Sequence, residues 1–187
     1  MNLLRQFLLN PGQTGSLAPS SQALVQAMLA SSGPLDGKLI VELGPGTGPI
    51  TQEIYKSFGK CRYIGFEVNK ALAEKLRLDY PGITIHETSA SEALDVMDAS
   101  SAHHVVSSIP FFNLPQEVSQ DIIKAAYDVL QPGGSLSTFM YWPGFYHPRM
   151  QGFLQTVTGL FGEMKEPQFV MRNFPPATVF TWVKRSE

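Results

Sequence analysis

Short apolar runs alternate regularly with longer amphipathic stretches along this chain. Runs typical of β-strands cover residues 38–43, 62–66, 83–85, 105–109 and 135–141, and two more lie near 168–171 and 178–183. Stretches with helical spacing of apolar residues separate them, at 69–78, 91–97, 115–130 and 150–161. Each such helix returns the chain to the edge where the next strand begins, so the strands run parallel. The pattern predicts an α/β fold with a seven-stranded, mostly parallel sheet and helices on both faces.

Length and composition exclude several classes of protein. The chain has 187 residues and shows no linker between domains, so we expect a single domain over residues 1–187. Only 16% of the residues are charged and the formal net charge is −2, whereas domains that bind a phosphate backbone are usually strongly basic. We therefore expect no nucleic-acid partner. The one cysteine, Cys61, cannot form an internal disulfide, and no Cys or His spacing typical of metal ligands occurs, so no metal site is expected.

The first residues predict an additional amphipathic helix. Leu3, Leu4, Phe7 and Leu8 fall on one helical face, and Pro11-Gly12 ends the segment. This apolar face can pack on the core or lie in a bilayer interface, and we expect the second. Arg5 is its one basic residue, so hydrophobic insertion would dominate. Because no apolar run approaches the roughly 20 residues that a spanning helix needs, we expect a cytoplasmic protein that is peripheral on the membrane.

A glycine-rich turn after the first predicted strand is the clearest candidate for a binding site. The run Val41-Glu42-Leu43-Gly44-Pro45-Gly46-Thr47-Gly48 lets the backbone turn tightly and approach a ligand closely. Glu42 precedes the glycines and would repel a pyrophosphate but attract an amine. Glu67 ends the second strand about 20 residues later, where an acid can accept both hydroxyls of a ribose.

This arrangement resembles the first two motifs of class I S-adenosylmethionine-dependent methyltransferases, which have a Rossmann-like fold. The resemblance implies that S-adenosylmethionine is the cofactor, with Glu42 near its methionine amine and Glu67 on its ribose. Where that family often has an acid after strand three, this chain has Thr88-Ser89-Ala90-Ser91, so Ser89 or Ala90 would meet the adenine, with Glu87 as an alternative. The full set of implied cofactor contacts is Ser16, Glu42, Gly44, Gly46, Thr47, Gly48, Glu67, Val68, Ser89, Ala90 and Ser107.

The loop after the fourth strand is the second candidate site. Its sequence, Ser107-Ser108-Ile109-Pro110-Phe111-Phe112-Asn113-Leu114-Pro115, is similar to the Asn-Leu-Pro-Tyr motif of adenine-N6 dimethyltransferases. Ser108 stands where that family has Asn, which removes a side-chain carbonyl suited to an aminopurine. Proline holds the preceding residue extended, so the carbonyls of Ser108, Ile109 and Pro110 have fixed directions and are candidate acceptors for a substrate amine.

Longer stretches resemble bacterial phospholipid N-methyltransferases more specifically. They cover residues 13–21, 41–48, 105–115 and 171–177, in the same order as in that family. The resemblance implies stepwise methylation of phosphatidylethanolamine to phosphatidylcholine at the cytosolic membrane face. Ornithine-lipid N-methyltransferases share similar motifs and remain an alternative, as do an rRNA adenine methyltransferase and a module that only binds the cofactor. The number of methyl groups transferred and the oligomeric state stay open.

Aromatic and polar residues in two loops complete the predicted site. A quaternary ammonium is attracted to aromatic faces by about 0.5–2 kcal/mol per contact, and Arg can bind a lipid phosphate through two hydrogen bonds. Removal of a proton from the substrate ammonium is assigned to Tyr141, Tyr146 or His147. The predicted substrate contacts are Phe111, Phe112, Tyr141, Tyr146, His147 and Arg149.

Overall fold

The computed structural model describes residues 20–57, 59–142, 144 and 148–186. Its sheet has seven strands in the order β3-β2-β1-β4-β5-β7-β6. The strands are β1 Leu39–Leu43, β2 Arg62–Phe66, β3 Thr84–His86, β4 Ala102–Ser107, β5 Leu130–Tyr141, β6 Gln168–Val170 and β7 Ala177–Val183. The α-helices are α1 Gln22–Leu29, α2 Pro49–Tyr55, α3 Lys70–Asp79, α4 Gln116–Val129 and α5 Pro148–Phe161.

Six strands run parallel and one is reversed. Strands β1 to β5 pair in parallel, so they all end at one edge, which we call the carboxyl edge. Strand β7 pairs antiparallel with both β5 and β6, and Ala177 at its start lies opposite Tyr141 at the end of β5. The hairpin that joins β6 to β7 therefore lies at the carboxyl edge. The predicted α/β fold with a seven-stranded, mostly parallel, Rossmann-like sheet is confirmed.

Local capping explains where the helices begin. The Ser21 side chain accepts a hydrogen bond from the Leu24 amide at the start of α1, and the Asn69 side chain caps α3 in the same way. Three predicted boundaries were wrong. Strand β4 covers Ala102–Ser107 and not residues 105–109. The stretch 91–97 forms a short 3₁₀ helix, Ala90–Asp95, and β5 begins at Leu130 and not at 135, because a register shift lets the Pro-Gly-Gly run continue the strand.

Two apolar clusters cover the two faces of the sheet. On one face, α4 and α5 pack through Ile122, Val129 and Phe153. On the other, α1 to α3 pack through residues such as Met28, Ile54 and Leu76. Every residue of β1 is buried, which is expected for a central strand covered on both sides.

Several predicted residues lie outside the described part of the chain. They are the amphipathic helix with Leu3, Leu4, Phe7 and Leu8, the cofactor contact Ser16, and the substrate and proton-transfer residues Tyr146 and His147. Their assignments stay predictions. Within the described ranges, no helix has both the length and the apolar character needed to cross a bilayer.

Candidate active site

The glycine-rich turn leaves β1 at the carboxyl edge and leads into α2. Gly44, Gly46 and Gly48 have φ values of 67°, 59° and 87°, in the left-handed region that favours glycine. A Cβ on Gly44 would lie 2.8 Å from Cγ1 of Ile109, and one on Gly48 would lie 2.5 Å from Cδ2 of Leu76. Any larger residue at these positions would therefore meet both backbone strain and a steric clash. Thr47, at the top of the turn, is exposed.

Glu67 connects the end of β2 to this turn. Its Oε2 accepts a hydrogen bond of 2.9 Å from the Gly46 amide, and its Oε1 accepts one of 2.8 Å from the Asn69 amide. The side chain is buried, with 6% of its surface exposed, and Val68 beside it is partly buried. Each carboxylate oxygen keeps a second lone pair, so the two hydrogen bonds orient Glu67 without using up its capacity to accept ribose hydroxyls.

Glu42 is the most unusual side chain at this edge, because it is completely buried. Its Oε2 accepts hydrogen bonds of 2.7 Å from the Thr51 hydroxyl and of 2.7 Å from the Tyr63 phenol. No described residue donates a hydrogen bond to its Oε1. Burial raises the pKa of this carboxyl from 4.5 to about 7, against the opposing effect of the two hydrogen bonds. A buried acceptor with an unused oxygen is suited to a cationic or N–H-bearing partner.

Tyr63 and Thr51 are positioning residues that the sequence reasoning did not single out. Gly65 lies opposite Glu42 in the sheet, and a Cβ on Gly65 would lie 2.7 Å from the Tyr63 hydroxyl oxygen. The missing side chain thus leaves the space through which the Tyr63 phenol reaches Glu42. The available signal was the Tyr-x-Gly spacing on β2, since residues two apart on a strand share a face.

The end of β3 carries the residues predicted to meet an adenine. Ser89 and Ala90 are buried there, and the Ser89 side chain accepts a hydrogen bond from the Ser91 amide. Glu87 forms an ion pair with Arg77, whose guanidinium also donates a hydrogen bond to it. This hydrogen bond lowers the pKa of the Glu87 carboxyl. Glu87 is thus held by α3, while Ser89 and Ala90 remain at the carboxyl edge, where the prediction placed them.

The loop after β4 separates the three carbonyls proposed as amine acceptors. The Ile109 carbonyl accepts from the Phe111 amide at 2.9 Å, and the Pro110 carbonyl accepts from the Asn113 amide at 2.9 Å. The Ser108 amide donates to the Leu43 carbonyl, but no described residue donates to the Ser108 carbonyl. Ser108 is therefore the best placed of the three to orient an amine.

Ser107 precedes these carbonyls at the end of β4. It is fully buried, and its hydroxyl accepts a hydrogen bond of 3.3 Å from the Ile109 amide. Its backbone carbonyl accepts a hydrogen bond from the Thr138 hydroxyl on β5. These bonds anchor the start of the loop, so the direction of the Ser108 carbonyl is set by the sheet.

A groove of 680 Å³ opens between the first halves of α4 and α5 and brings two predicted substrate residues together. Phe111 and Arg149 both line it, and its other lining residues also come from the loop after β4 and from these helices. The Phe111 ring is 4% exposed and stacks on Phe153 with ring centroids 4.8 Å apart. Phe111 is thus a wall of the groove and part of the core at once.

Tyr141, predicted to contact the substrate together with Phe111, does not line this groove. Its ring packs edge-on against Phe139 with centroids 5.2 Å apart, in the cluster on the opposite face of the sheet. Phe111 belongs to the cluster on the α4 and α5 face. Side chains alternate between faces along a strand, so the end of β5 directs Tyr141 away from Phe111. The side chain of Phe112 lies outside the described part of the structure.

The strand order, the reversed β7 and the acid-flanked glycine turn define a Rossmann-like methyltransferase. The family model described as "methyltransferase domain" matches residues 40–134, slightly more than half of the chain. The chain belongs to this methyltransferase family, and its cofactor is S-adenosylmethionine.

Three named proteins show what this chain is similar to. An ornithine lipid N-methyltransferase of Singulisphaera acidiphila is 29% identical over 184 residues, which cover 95% of this chain and 92% of that protein. A ribosomal RNA small subunit methyltransferase A of Campylobacter fetus is 36% identical over 99 residues, which cover 51% of this chain but 35% of that protein. The solved phosphoethanolamine N-methyltransferase 2 of Haemonchus contortus, with S-adenosylhomocysteine bound, superposes with a TM-score of 0.72 at 14% identity, covering 100% of this chain and 61% of that one.

The residues at the carboxyl edge fit S-adenosylmethionine. The unused Oε1 of buried Glu42 suits the cofactor's ammonium group, and Glu67 retains lone pairs for ribose hydroxyls. Among the described residues, only the Gly44 carbonyl oxygen lies within 4 Å of the position that a Cβ on Gly46 would take, so the Cβ side of this left-handed turn is open. These residues would hold the cofactor, which supplies an electrophilic methyl group on a positively charged sulfur.

Proposed function

We propose that the protein methylates the primary amine of a membrane lipid headgroup, using S-adenosylmethionine. The observation that carries the proposal is the similarity over 95% of the chain to an ornithine lipid N-methyltransferase. The rRNA methyltransferase relative matches only about half of this chain, so the lipid enzyme is the better guide to the whole domain. The formal net charge of −2 and the serine at position 108 also favour a lipid amine over an RNA base.

The chemistry requires a neutral amine. An alkylammonium with a lysine-like pKa is only about one part in a thousand neutral at pH 7, a cost of roughly 4–5 kcal/mol. The site must accept the proton and then orient the nitrogen lone pair toward the methyl carbon. The nitrogen–carbon bond forms as the carbon–sulfur bond breaks, and the bonding electrons pass to sulfur.

The Ser108 carbonyl is the group we assign to orientation of the amine. It would accept a hydrogen bond from a remaining N–H group of the neutral amine, and its direction is set by the hydrogen bond from the Ile109 amide, in the same peptide unit, to the Ser107 hydroxyl. Such positioning of a nucleophile can lower the barrier by several kcal/mol. The proton acceptor stays assigned to Tyr141, Tyr146 or His147, as predicted from the sequence.

Two lipids share the required amine. The resemblance of the sequence motifs favours phosphatidylethanolamine, and the full-length relative favours ornithine lipid. In the first the anionic group near the amine is a phosphate, and in the second it is a carboxylate. Arg149, on the wall of the groove beside Phe111, is the residue we assign to this anion. We place the enzyme at the cytoplasmic face of the membrane, where this substrate is accessible.

The test is methyl transfer from labelled S-adenosylmethionine to three acceptors in parallel, which are phosphatidylethanolamine vesicles, ornithine-lipid vesicles and ribosomal RNA, with buffer alone as the blank. We expect label in a lipid extract, and chromatography of the products then identifies the lipid and the number of methyl groups. Label in RNA without label in lipid would replace the proposal with the rRNA activity. Tight cofactor binding without transfer to any acceptor would indicate a module that only binds the cofactor.

A further inference from the structure

The hairpin between β6 and β7 exposes large apolar side chains that are not among the residues assigned to the cofactor or the substrate. Phe174 is 85% exposed and Met171 is 72% exposed, and Trp142 beside the hairpin is 49% exposed. The Trp142 amide donates a hydrogen bond of 2.7 Å to the Pro176 carbonyl, so Trp142 adjoins the hairpin directly. We call residues 171–176 together with Trp142 the apolar tip.

The apolar tip is held firmly despite its exposure. Asn173 is 4% exposed, and its side-chain amide donates a hydrogen bond of 2.6 Å to the Pro175 carbonyl. Its Oδ1 accepts a hydrogen bond of 2.9 Å from the Ser21 amide, at the first turn of α1. Because the backbone of the tip is already fixed, insertion of Phe174 and Met171 into an apolar medium costs little ordering entropy.

The position of the apolar tip indicates what it meets. Strand β7 begins at Ala177 opposite Tyr141, so the tip lies at the carboxyl edge, on the same side as the glycine turn and Ser108. A lipid amine lies at the surface of its bilayer, so the edge that carries the reacting groups must face that surface. Aromatic residues are favoured at a membrane interface, and Arg172, exposed within the tip, suits anionic headgroups.

We propose that the apolar tip inserts into the lipid bilayer and holds the carboxyl edge against the membrane. This rests on the proposed function, since the lipid substrate is what brings that edge to a bilayer. The amphipathic helix is predicted in the chain before Ser21. Because Ser21 donates a hydrogen bond to Asn173, the segment that carries this helix joins the described part of the chain beside the tip. The tip is thus a second anchor, formed by folded structure and not by a separate helix.

Vesicle partition tests the proposal with a matched control. We compare the wild type, the double variant M171S/F174S and the variant L78S on phosphatidylcholine vesicles. Leu78 is 80% exposed near the end of α3, the helix that precedes β3, and β3 and β6 are the two outermost strands of the sheet. We expect partition of the double variant to weaken by at least about tenfold, because two large apolar side chains are lost from the membrane. Partition of L78S should equal that of the wild type.

Tryptophan fluorescence gives a measurement that needs no variant. The chain has two tryptophans, and Trp182 is fully buried, so a spectral change on adding vesicles reports Trp142. We expect a blue shift, and quenching by lipids brominated in the acyl chains. If the double variant does not fold, as judged by circular dichroism, this measurement alone decides the proposal.

Activity separates failure of the tip from failure of the proposed function. With detergent-dispersed lipid, the double variant should match the wild type, and with vesicles it should be slower by about the factor lost in partition. Equal partition of all three proteins, or a Trp142 spectrum that vesicles leave unchanged, would overturn insertion of the tip. A wild-type dimer that the double variant dissociates, with partition unchanged, would assign the tip to a protein interface. Vesicle binding through the tip without methylation of lipid in either form would overturn the proposed function only.

Discussion

Replacing Glu42 by glutamine removes a carboxyl group that the fold holds in an apolar environment. Glu42 is fully buried, and burial raises its pKa from 4.5 to about 7. Well below pH 4.5 the folded and unfolded chains both carry the proton, and well above pH 7 both have lost it. Between these values the folded chain keeps a proton that the unfolded chain releases, so the free energy of unfolding falls as the pH rises.

The magnitude follows from the two pKa values. A difference between 4.5 and about 7 corresponds to about 3 kcal/mol of unfolding free energy, lost between about pH 4.5 and pH 8. The E42Q variant has no carboxyl group at this position, so it does not lose this unfolding free energy as the pH rises. The difference in stability between E42Q and the wild type should therefore shift by about 3 kcal/mol in favour of E42Q over this range. Any fixed cost of burying the glutamine amide cancels, because it does not depend on pH.

Urea denaturation of the cofactor-free protein, followed by Trp182 fluorescence, measures this difference. Other titrating groups contribute equally to both proteins, apart from their interaction with Glu42. Tyr63 stays neutral because burial raises its pKa well above 10. The Y63F variant is a control that should make the pH dependence of stability steeper. Since it removes a hydrogen bond that favours the ionised carboxyl, the pKa of Glu42 should rise further.

The cofactor provides a second arm of the same experiment. Saturating S-adenosylhomocysteine should flatten the pH dependence of the wild type, because its ammonium group favours the ionised form of Glu42. A stability difference between E42Q and the wild type that stays constant from about pH 4.5 to pH 8 would contradict a raised pKa of Glu42. It would mean that the carboxyl group titrates in the folded protein as it does in the unfolded chain.

Two further predictions concern other parts of the fold. In G44A, we expect cofactor affinity to fall by at least about tenfold, because the added Cβ clashes with the loop after β4. G37A is the matched control, because Gly37 also has a positive φ, of 72°, but no atom lies within 4 Å of an added Cβ. Cofactor affinity is measured by calorimetry, and equal affinities for the two variants would contradict the clash. Burial lowers the pKa of His104 from 6.5 to about 4, so the folded chain resists a proton that the unfolded chain binds. As the pH falls from 6.5 to 4, the wild type should lose about 3 kcal/mol more stability than H104N, and parallel curves in acid denaturation would show that His104 titrates normally.

Local signals in the sequence account for much of the site. The turn Gly44–Gly48 and the acid at 67 were identified from spacing alone, because a tight turn at a strand end needs glycine regardless of what surrounds it. Strand β2 was predicted at its observed bounds, since a short apolar run between turn residues is a local pattern. The start of β5 was misplaced because the register shift that extends it depends on β4.

Local sequence patterns were enough to predict the α/β class, the parallel strands and the position of the glycine turn, because periodicity and turn residues act over a few neighbours. The burial of Glu42 and its hydrogen bond from Tyr63, 21 residues away, depend on the tertiary structure. It also separated Phe111 from Tyr141 by placing them on opposite faces of the sheet. The Ser21–Asn173 contact joins positions 152 residues apart. Such contacts depend on strand order and side-chain packing, which no local pattern in this chain encodes.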